Sequence, residues 1–445
     1  MKNKIGISFV GLGLAALLAG ILLGCLSALQ FIIPGFADSL SFVKSRPLHV
    51  SLVVSWIFLS AIGGIYYYLP KFCNLKLHSP GMARVHFWIF LITGICILGS
   101  YVAGKFGGRE YWEYPPVLSI PIFITWLMFG FNYFKTVAKL IGQWPIYIWM
   151  WGTGILFFFL TFSESYLWLI PYFRDHLPRD LTVQWKSYGA LVGSWNMLVY
   201  GTAFFVMERI SGDQTIARSR LSFLMFFLGF TNLLFGWAHH IYIVPSAQYI
   251  QYIAYVISMT ELIILARIIW NWKMSITASA KLMHVLSFRF LFASDIWILI
   301  NLMLAIAISI PAVNVFTHGT HITVAHAMGS TIGINTMILI ASCIFLVTDA
   351  TQHRFSMREI NLIKSGFWIT NGSLMLFFSA LIFAGAEKGR MILDGHLNFS
   401  EIMNEISPFL ISFVVSGFGI LIGLTLVVVP VLLIILRNLK RNSTA

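Results

Sequence analysis

The chain has 445 residues, of which 58% are hydrophobic and only 10% charged, with a formal net charge of +13. Soluble domains carry about 25% charged residues, so this composition excludes one. The basic residues are scattered over short loops with no basic face or tract, which excludes a nucleic-acid partner and leaves membrane lipid as the expected surroundings.

Apolar runs follow one another along the whole chain. Spans are predicted near 5–34, 47–70, 81–104, 117–138, 142–172, 183–207, 219–243, 246–271, 283–314, 320–349, 362–387 and 405–437. Each is long enough to cross a hydrocarbon layer of about 30 Å. The expected fold is an all-α integral membrane bundle, a single transmembrane domain over 1–445. Lys2 and Lys4 precede a first run too long for the apolar part of a signal peptide, so it reads as a retained helix. Most of the 29 lysines and arginines lie at the termini or in the loops that follow even-numbered spans, such as Lys71, Lys76, Arg209 and Arg218. That bias places both termini in the cytoplasm. The opposite loops hold acids including Asp38, Glu110, Glu113 and Asp175. Such a face suits a basic electron donor, or is simply solvated. The four cysteines form no CxxC or CxxCH, which argues against a disulfide framework and against covalently attached haem.

Ionisable side chains inside a membrane are costly and mark candidate sites. His49 opens the second span in RPLHVSLVVSW. His239 and His240 close the seventh in FGWAHHIYIV, and His318, His321 and His326 begin the tenth in THGTHITVAHAMG. One such histidine alone reads as an interfacial or hydrogen-bonded core group. Six on three spans point to haem iron, copper or non-haem iron, all of which imidazole binds. A helix turns about 100° per residue, so His239 and His240 can reach one metal. His326 and Met328, about 200° apart, face opposite sides, so their helix can serve two cofactors. Among the intramembrane acids, Glu261 is placed to return beside the His pair. Its bland alternative is a protonated helix-contact residue. Glu164 and Asp295 read chiefly as structural.

These motifs resemble the large subunit of cytochrome c-dependent nitric oxide reductase, in the haem-copper oxidase superfamily, through most of the chain. The resemblance implies the superfamily's twelve-helix subunit I bundle in a bacterial cytoplasmic membrane. It implies two b-type haems, low-spin and high-spin, a non-haem iron or copper, and calcium near the haem propionates. HVSLVVSWIFLSAIGGIYYYLP resembles the second helix, with His49 an axial ligand of the low-spin haem. GREYWEYP resembles an outer loop whose acids, here Glu110 and Glu113, bind calcium. His239 and His240 match the non-haem metal pair, Glu261 the glutamate beside it, and His326 the high-spin haem ligand.

Two positions depart from the pattern. Met328 stands where a second low-spin haem histidine is expected, implying either His/Met ligation or a haem absent or held differently. In QWKSYGALVGSWN, Tyr188 stands where the third metal histidine is expected, and Val192 where the reductases carry a glutamate. Either Tyr188 and Glu261 complete the metal site, or the site holds none. The sequence therefore supports two readings. One is a respiratory oxidoreductase reducing nitric oxide or oxygen, fed by a c-type cytochrome subunit or another donor. The other is a non-catalytic haem protein for electron transfer or gas sensing. A secondary transporter would show Gly/Pro-broken helices in matching halves, and none are visible.

Overall fold

The computed structural model describes residues 4–441 except Pro34, Ile141, Ile243, Ser246, His396 and Leu397; the side chains of Ser258, Glu261 and Arg441 also lie outside the described residues. Among the described residues, 12 helices are long and apolar enough to cross a membrane. They are α1 (Lys4–Leu29), α2 (Phe42–Phe72), α3 (Pro80–Val102), α4 (Pro116–Leu140), α5 (Ile146–Leu169), α6 (Leu177–Ser211), α7 (Arg220–Ile241), α8 (Gln248–Ser275), α9 (Val285–Ser309), α10 (His321–Thr351), α11 (Met357–Leu393) and α12 (Ser407–Lys440). The chain is a multi-pass integral membrane protein, and large apolar side chains such as Trp88, Ile92, Ile95 and Ile263 stand exposed on its helices, as lipid-facing residues do.

The helix number matches the expectation, and several bounds shift for local reasons. α1 stops at Leu29 rather than at 34, because the chain then turns, reaching positive φ at Gly35 and Ala37. α2 starts at Phe42, so His49 lies two turns inside the helix instead of opening it. α9 stops at Ser309, because Ile310 precedes Pro311 and takes an extended conformation.

Two compact units divide the chain: Met1–Asn132 with Leu339–Ala445, and Tyr133–Ile338. In the first unit, glycines set the distance between α1 and α2. A Cβ on Gly6 would stand 2.6 Å from the Gly63 carbonyl oxygen, and one on Gly63 would stand 2.7 Å from that of Gly6. α11 and α12 meet in the same way, a Cβ on Gly366 falling 2.5 Å from the carbonyl oxygen of Gly423. Lipid tails are as apolar as leucine, so such helices associate by close backbone approach rather than by hydrophobic burial. In the second unit, a Cβ on Gly154 of α5 would lie 2.7 Å from the Ser194 carbonyl of α6. Gly333 of α10 leaves room for the Trp297 ring of α9 in the same unit.

Three helices of the second unit are irregular at or beside candidate site residues. α7 tightens into a 3-10 turn over Gly236–Ile241. α8 breaks at Thr260 and restarts at Glu261. α10 widens into a π segment over Gly329–Thr336.

The glycine contacts give a direct test. Gly6→Ala forces α1 from α2 and is expected to destabilise the protein by about 1–3 kcal/mol, the usual cost of overpacking. Gly94→Ala, where a Cβ meets nothing within 4 Å, is expected to be neutral. Thermal unfolding of both variants in detergent checks the contrast.

Candidate metal centre

The His pair sits on the 3-10 turn that ends α7. Residues in such a turn step by about 120° rather than 100°, yet the two imidazoles stay together, their ring centroids 4.2 Å apart. What holds them is α6. A Cβ on Gly189 would lie 2.6 Å from the Trp237 side chain, so only glycine lets the two elements approach. The His240 ring then lies nearly parallel to Trp185, at 5.6 Å and 13°. Tyr188, one turn from Trp185 and buried, meets it edge-on at 6.3 Å. The position that carries tyrosine in place of the expected histidine therefore stands on the helix face that packs against the His pair.

His326 and His318 are near enough to interact electrostatically with both members of that pair. His318 lies between α9 and α10, against the backbone carbonyl of His240, and burial holds its imidazole below the ordinary value while that carbonyl opposes the shift. No spacing rule in the sequence separates His318 from His321. His326 lies in the last turn before the π segment, beside the Asn301 carbonyl of α9. Nδ1 of both His239 and His326 is sealed from solvent with no hydrogen-bond partner. A histidine that ligates through Nε2 needs an acceptor for Nδ1–H, and the carbonyls of Gly236 and Asn301 stand beside the two rings.

Among the described residues, no three His, Cys, Asp or Glu side chains are arranged to hold one metal ion. Glu261 opens the second half of α8, and its side chain lies outside the described residues. His239 and His240 are thus the candidate donors for a non-haem metal, and a third donor would have to come from Tyr188, from Glu261 or from water. Glu164, another acid of this unit, is ion-paired with Lys186.

In the first unit, His49 is held rather than free. Its Nδ1 hydrogen-bonds to the Gly20 carbonyl at 2.7 Å, which leaves Nε2 as the nitrogen that could ligate. A Cβ on Gly24 would stand 2.7 Å from the ring. Gly20 and Gly24 therefore form the cradle of His49, and their four-residue spacing in α1 is a readable signal of close helix approach. One turn before His49, Arg46 bonds both predicted calcium ligands, Glu110 at 2.6 Å and Glu113 at 2.9 Å. The tight turn that presents them needs Gly108, where a Cβ would lie 1.7 Å from the Trp112 carbonyl oxygen, and puts Tyr111 at φ 69°. Burial pushes the Glu113 carboxyl above its ordinary value, with Arg46 opposing. Burial, reinforced by Glu110, pushes the Tyr111 phenol up to about 12. The positive charge at these carboxylates comes from Arg46, so a calcium ion bound there would compete with it.

A bundle of membrane helices whose irregular turns carry clustered, interior imidazoles has the architecture of a membrane-embedded haem protein. The chain belongs to the family described as cytochrome C and quinol oxidase polypeptide I, which matches residues 4–419, and is thus a subunit I of the haem-copper oxidase superfamily. It is 22% identical to a nitric oxide reductase subunit of Stutzerimonas stutzeri, over 91% of this chain and 89% of that one. It is 25% identical to the Cbb3-type cytochrome c oxidase subunit CcoN1 of the same organism, over 81% and 78%. A solved haem-copper terminal oxidase dimer superimposes with a TM-score of 0.81 at 13% identity, covering 98% of this chain and 85% of that one. The family implies haem and a metal. His49 and His326 fit axial ligation, each with a carbonyl beside it, whereas the non-haem site fits only with a donor beyond its two histidines.

Arg46→Gln leaves Glu110 and Glu113 without their cation. A buried carboxyl with a raised pKa costs stability as pH rises through that pKa. The variant is therefore expected to be less stable than the parent by about 1 kcal/mol near neutrality, a half-exposed pair being worth little more. The deficit should shrink on acidification, once Glu113 is protonated in both proteins. Melting curves of parent and variant across the carboxylate range measure it.

Proposed function

We propose that the chain is a respiratory oxidoreductase of the bacterial cytoplasmic membrane, nitric oxide reductase-like, with both termini in the cytoplasm. The observation that carries this reading is the grouping of His239, His240 and His326 within one unit, with His240 stacked on Trp185. In this reading His326 holds a high-spin b-type haem, and His239 and His240 hold non-haem iron or copper, with Tyr188 or Glu261 completing its donors. His49 is proposed as a ligand of a low-spin b-type haem, and Glu110 and Glu113 as ligands of a calcium ion in place of Arg46.

When bound, the haem and the non-haem metal would supply electrons and a concentrated positive charge to the substrate. The chain's own residues orient that chemistry. The Gly20 carbonyl fixes the tautomer of His49. Trp185 and the Gly189 contact keep the His pair aligned. Reduction of two nitric oxide molecules takes two electrons and two protons and yields nitrous oxide and water. The electrons come from a c-type cytochrome subunit or another donor, a reading supported by the likeness to a cytochrome c oxidase.

Oxygen is the alternative substrate, since three of the relatives are named cytochrome c oxidase subunits. A second reading is favoured by a specific observation, the lack of a three-donor metal group among the described residues. It makes the chain a non-catalytic haem protein for electron transfer or gas sensing.

Anaerobic nitric oxide consumption by the purified protein with a reduced donor tests the proposal. His326→Ala should abolish it and remove only the high-spin haem spectrum. His240→Ala should abolish it with both haems retained. Tyr188→His should raise non-haem metal occupancy. Haem-loaded protein that consumes neither nitric oxide nor oxygen supports the second reading instead.

A further inference from the structure

The outward face of α8 carries a group of polar side chains that the proposed haem and metal chemistry does not use. Of the twelve spans, α8 has the smallest buried share. Tyr249, Val256, Ile263 and Trp270 stand exposed along it at seven-residue intervals, Ile263 at 79% and Trp270 at 66%. Seven residues are close to two full turns, so the row lies on one side of the helix and faces lipid. Arg267 is exposed on that same side, between Ile263 and Trp270. A charge on a lipid-facing surface is costly unless it reaches the interface or finds a counter-charge.

Arg267 does not stand alone. Trp270 follows it by three residues and Asn271 by four, the spacings that bring helix side chains together, and both are exposed. The three present a guanidinium, an indole N–H and an amide N–H2, a set dominated by donors. Among the described residues, none of these side chains has a hydrogen-bond partner or an ion pair. Acids of this unit are engaged elsewhere, Glu164 with Lys186 and Glu208 with Arg209. The inward side of the same turns differs. Trp272 is buried and donates to the Met207 carbonyl of α6 at 3.4 Å, and Lys273 lies over the Phe292 ring of α9 at 3.9 Å. Donors that face the protein are satisfied by it, while those that face out require an acceptor from the surroundings.

Depth selects that acceptor. α8 has 28 residues, about 42 Å of helix, and so overhangs a hydrocarbon layer of about 30 Å. Arg267 lies eight residues before the end at Ser275, about 12 Å. An even overhang places its Cα about 6 Å inside the layer, a distance that a long arginine side chain spans to bring its head to the interface. Asn271, one turn nearer the end, lies at the boundary, where tryptophan is also favoured. Lipid phosphates stand just beyond, and arginine takes phosphate through two parallel N–H bonds. Lys273, Lys281 and Arg289 crowd the same end of the helices, a positive field that favours anionic over zwitterionic lipid. A second copy of the chain is a poor occupant, because pairing α8 with α8 about a two-fold axis sets Arg267 against Arg267. We propose that Arg267, Trp270 and Asn271 bind the phosphate of an anionic phospholipid in the leaflet at the Ser275 end, cytoplasmic in the orientation proposed above. Arg267 grips two phosphate oxygens, Trp270 and Asn271 donate beside it, and an acyl chain lies along Ile263 and Val256. The site is independent of the haem and metal reading.

Native mass spectrometry of the full chain in detergent tests it, with phosphatidylglycerol and phosphatidylcholine of matched acyl chains as probes. The parent should bind one phosphatidylglycerol about tenfold more tightly than phosphatidylcholine. Arg267→Gln should weaken phosphatidylglycerol binding by about tenfold or more, the loss of a charge-assisted pair, and Arg267→Lys should keep part of it. Trp270→Phe keeps the ring, loses the N–H and should cost about fivefold. Arg358→Gln, at an exposed arginine in the first turn of α11, should change nothing. Equal binding by parent and Arg267→Gln, an equal loss in Arg358→Gln, or no preference over phosphatidylcholine overturns the proposal. So does an acidic partner polypeptide that Arg267→Gln loses while its lipid binding stays at the parent's level. Should Arg267→Gln fail to assemble, Arg267→Lys and Trp270→Phe still decide.

Discussion

A backbone in lipid must satisfy its own polar groups, so irregular turns survive at membrane depth only where protein surrounds them. That constraint organises the second unit. Three of its irregularities are the 3-10 turn at Gly236–Ile241, the break at Thr260 and the π segment at Gly329–Thr336. They fall at the His pair, at Glu261 and directly after His326 and Met328. Each gives up regular helix geometry at or beside a proposed site residue, and π segments inside α-helices are frequent at functional sites. The close contacts that permit this are glycine contacts: Gly189 against Trp237, Gly193 against Leu233 and Gly333 against Trp297.

The same constraint governs the first unit at smaller scale. α1 packs beside α2 because glycines let backbone touch backbone, and the touching carbonyl of Gly20 holds His49 by its Nδ1. One turn away, Arg46 neutralises two carboxylates that would otherwise repel each other. The proposed axial ligand His49 and the acidic turn of Glu110 and Glu113 are thus tied to one another by a single turn of α2.

Much of this was legible in the chain. Twelve apolar runs dictate twelve helices, since lipid leaves no other solution for them. The family was legible from the His-His pair and from THGTHITVAH. Helix ends were less so, because they depend on turn chemistry such as that before Pro311, which hydropathy ignores. The partners of the histidines were largely invisible: Trp185, Gly189 and the Asn301 carbonyl come from helices far apart in sequence, and stacking leaves no periodic trace. The pairing of Arg46 with Glu110 and Glu113 likewise spans more than sixty residues. Tyr188 is the instructive case. Sequence alone identifies it as standing in a histidine's place. The structure adds that it is buried beside the Trp185 on which His240 stacks.

The account rests on these helices holding haem and metal at once. The direct measurement is the cofactor content of the purified full-length chain, by reduced-minus-oxidised spectroscopy together with elemental analysis. Two b-type haems and one non-haem iron or copper per chain are predicted. A folded chain purified with no haem would contradict the account.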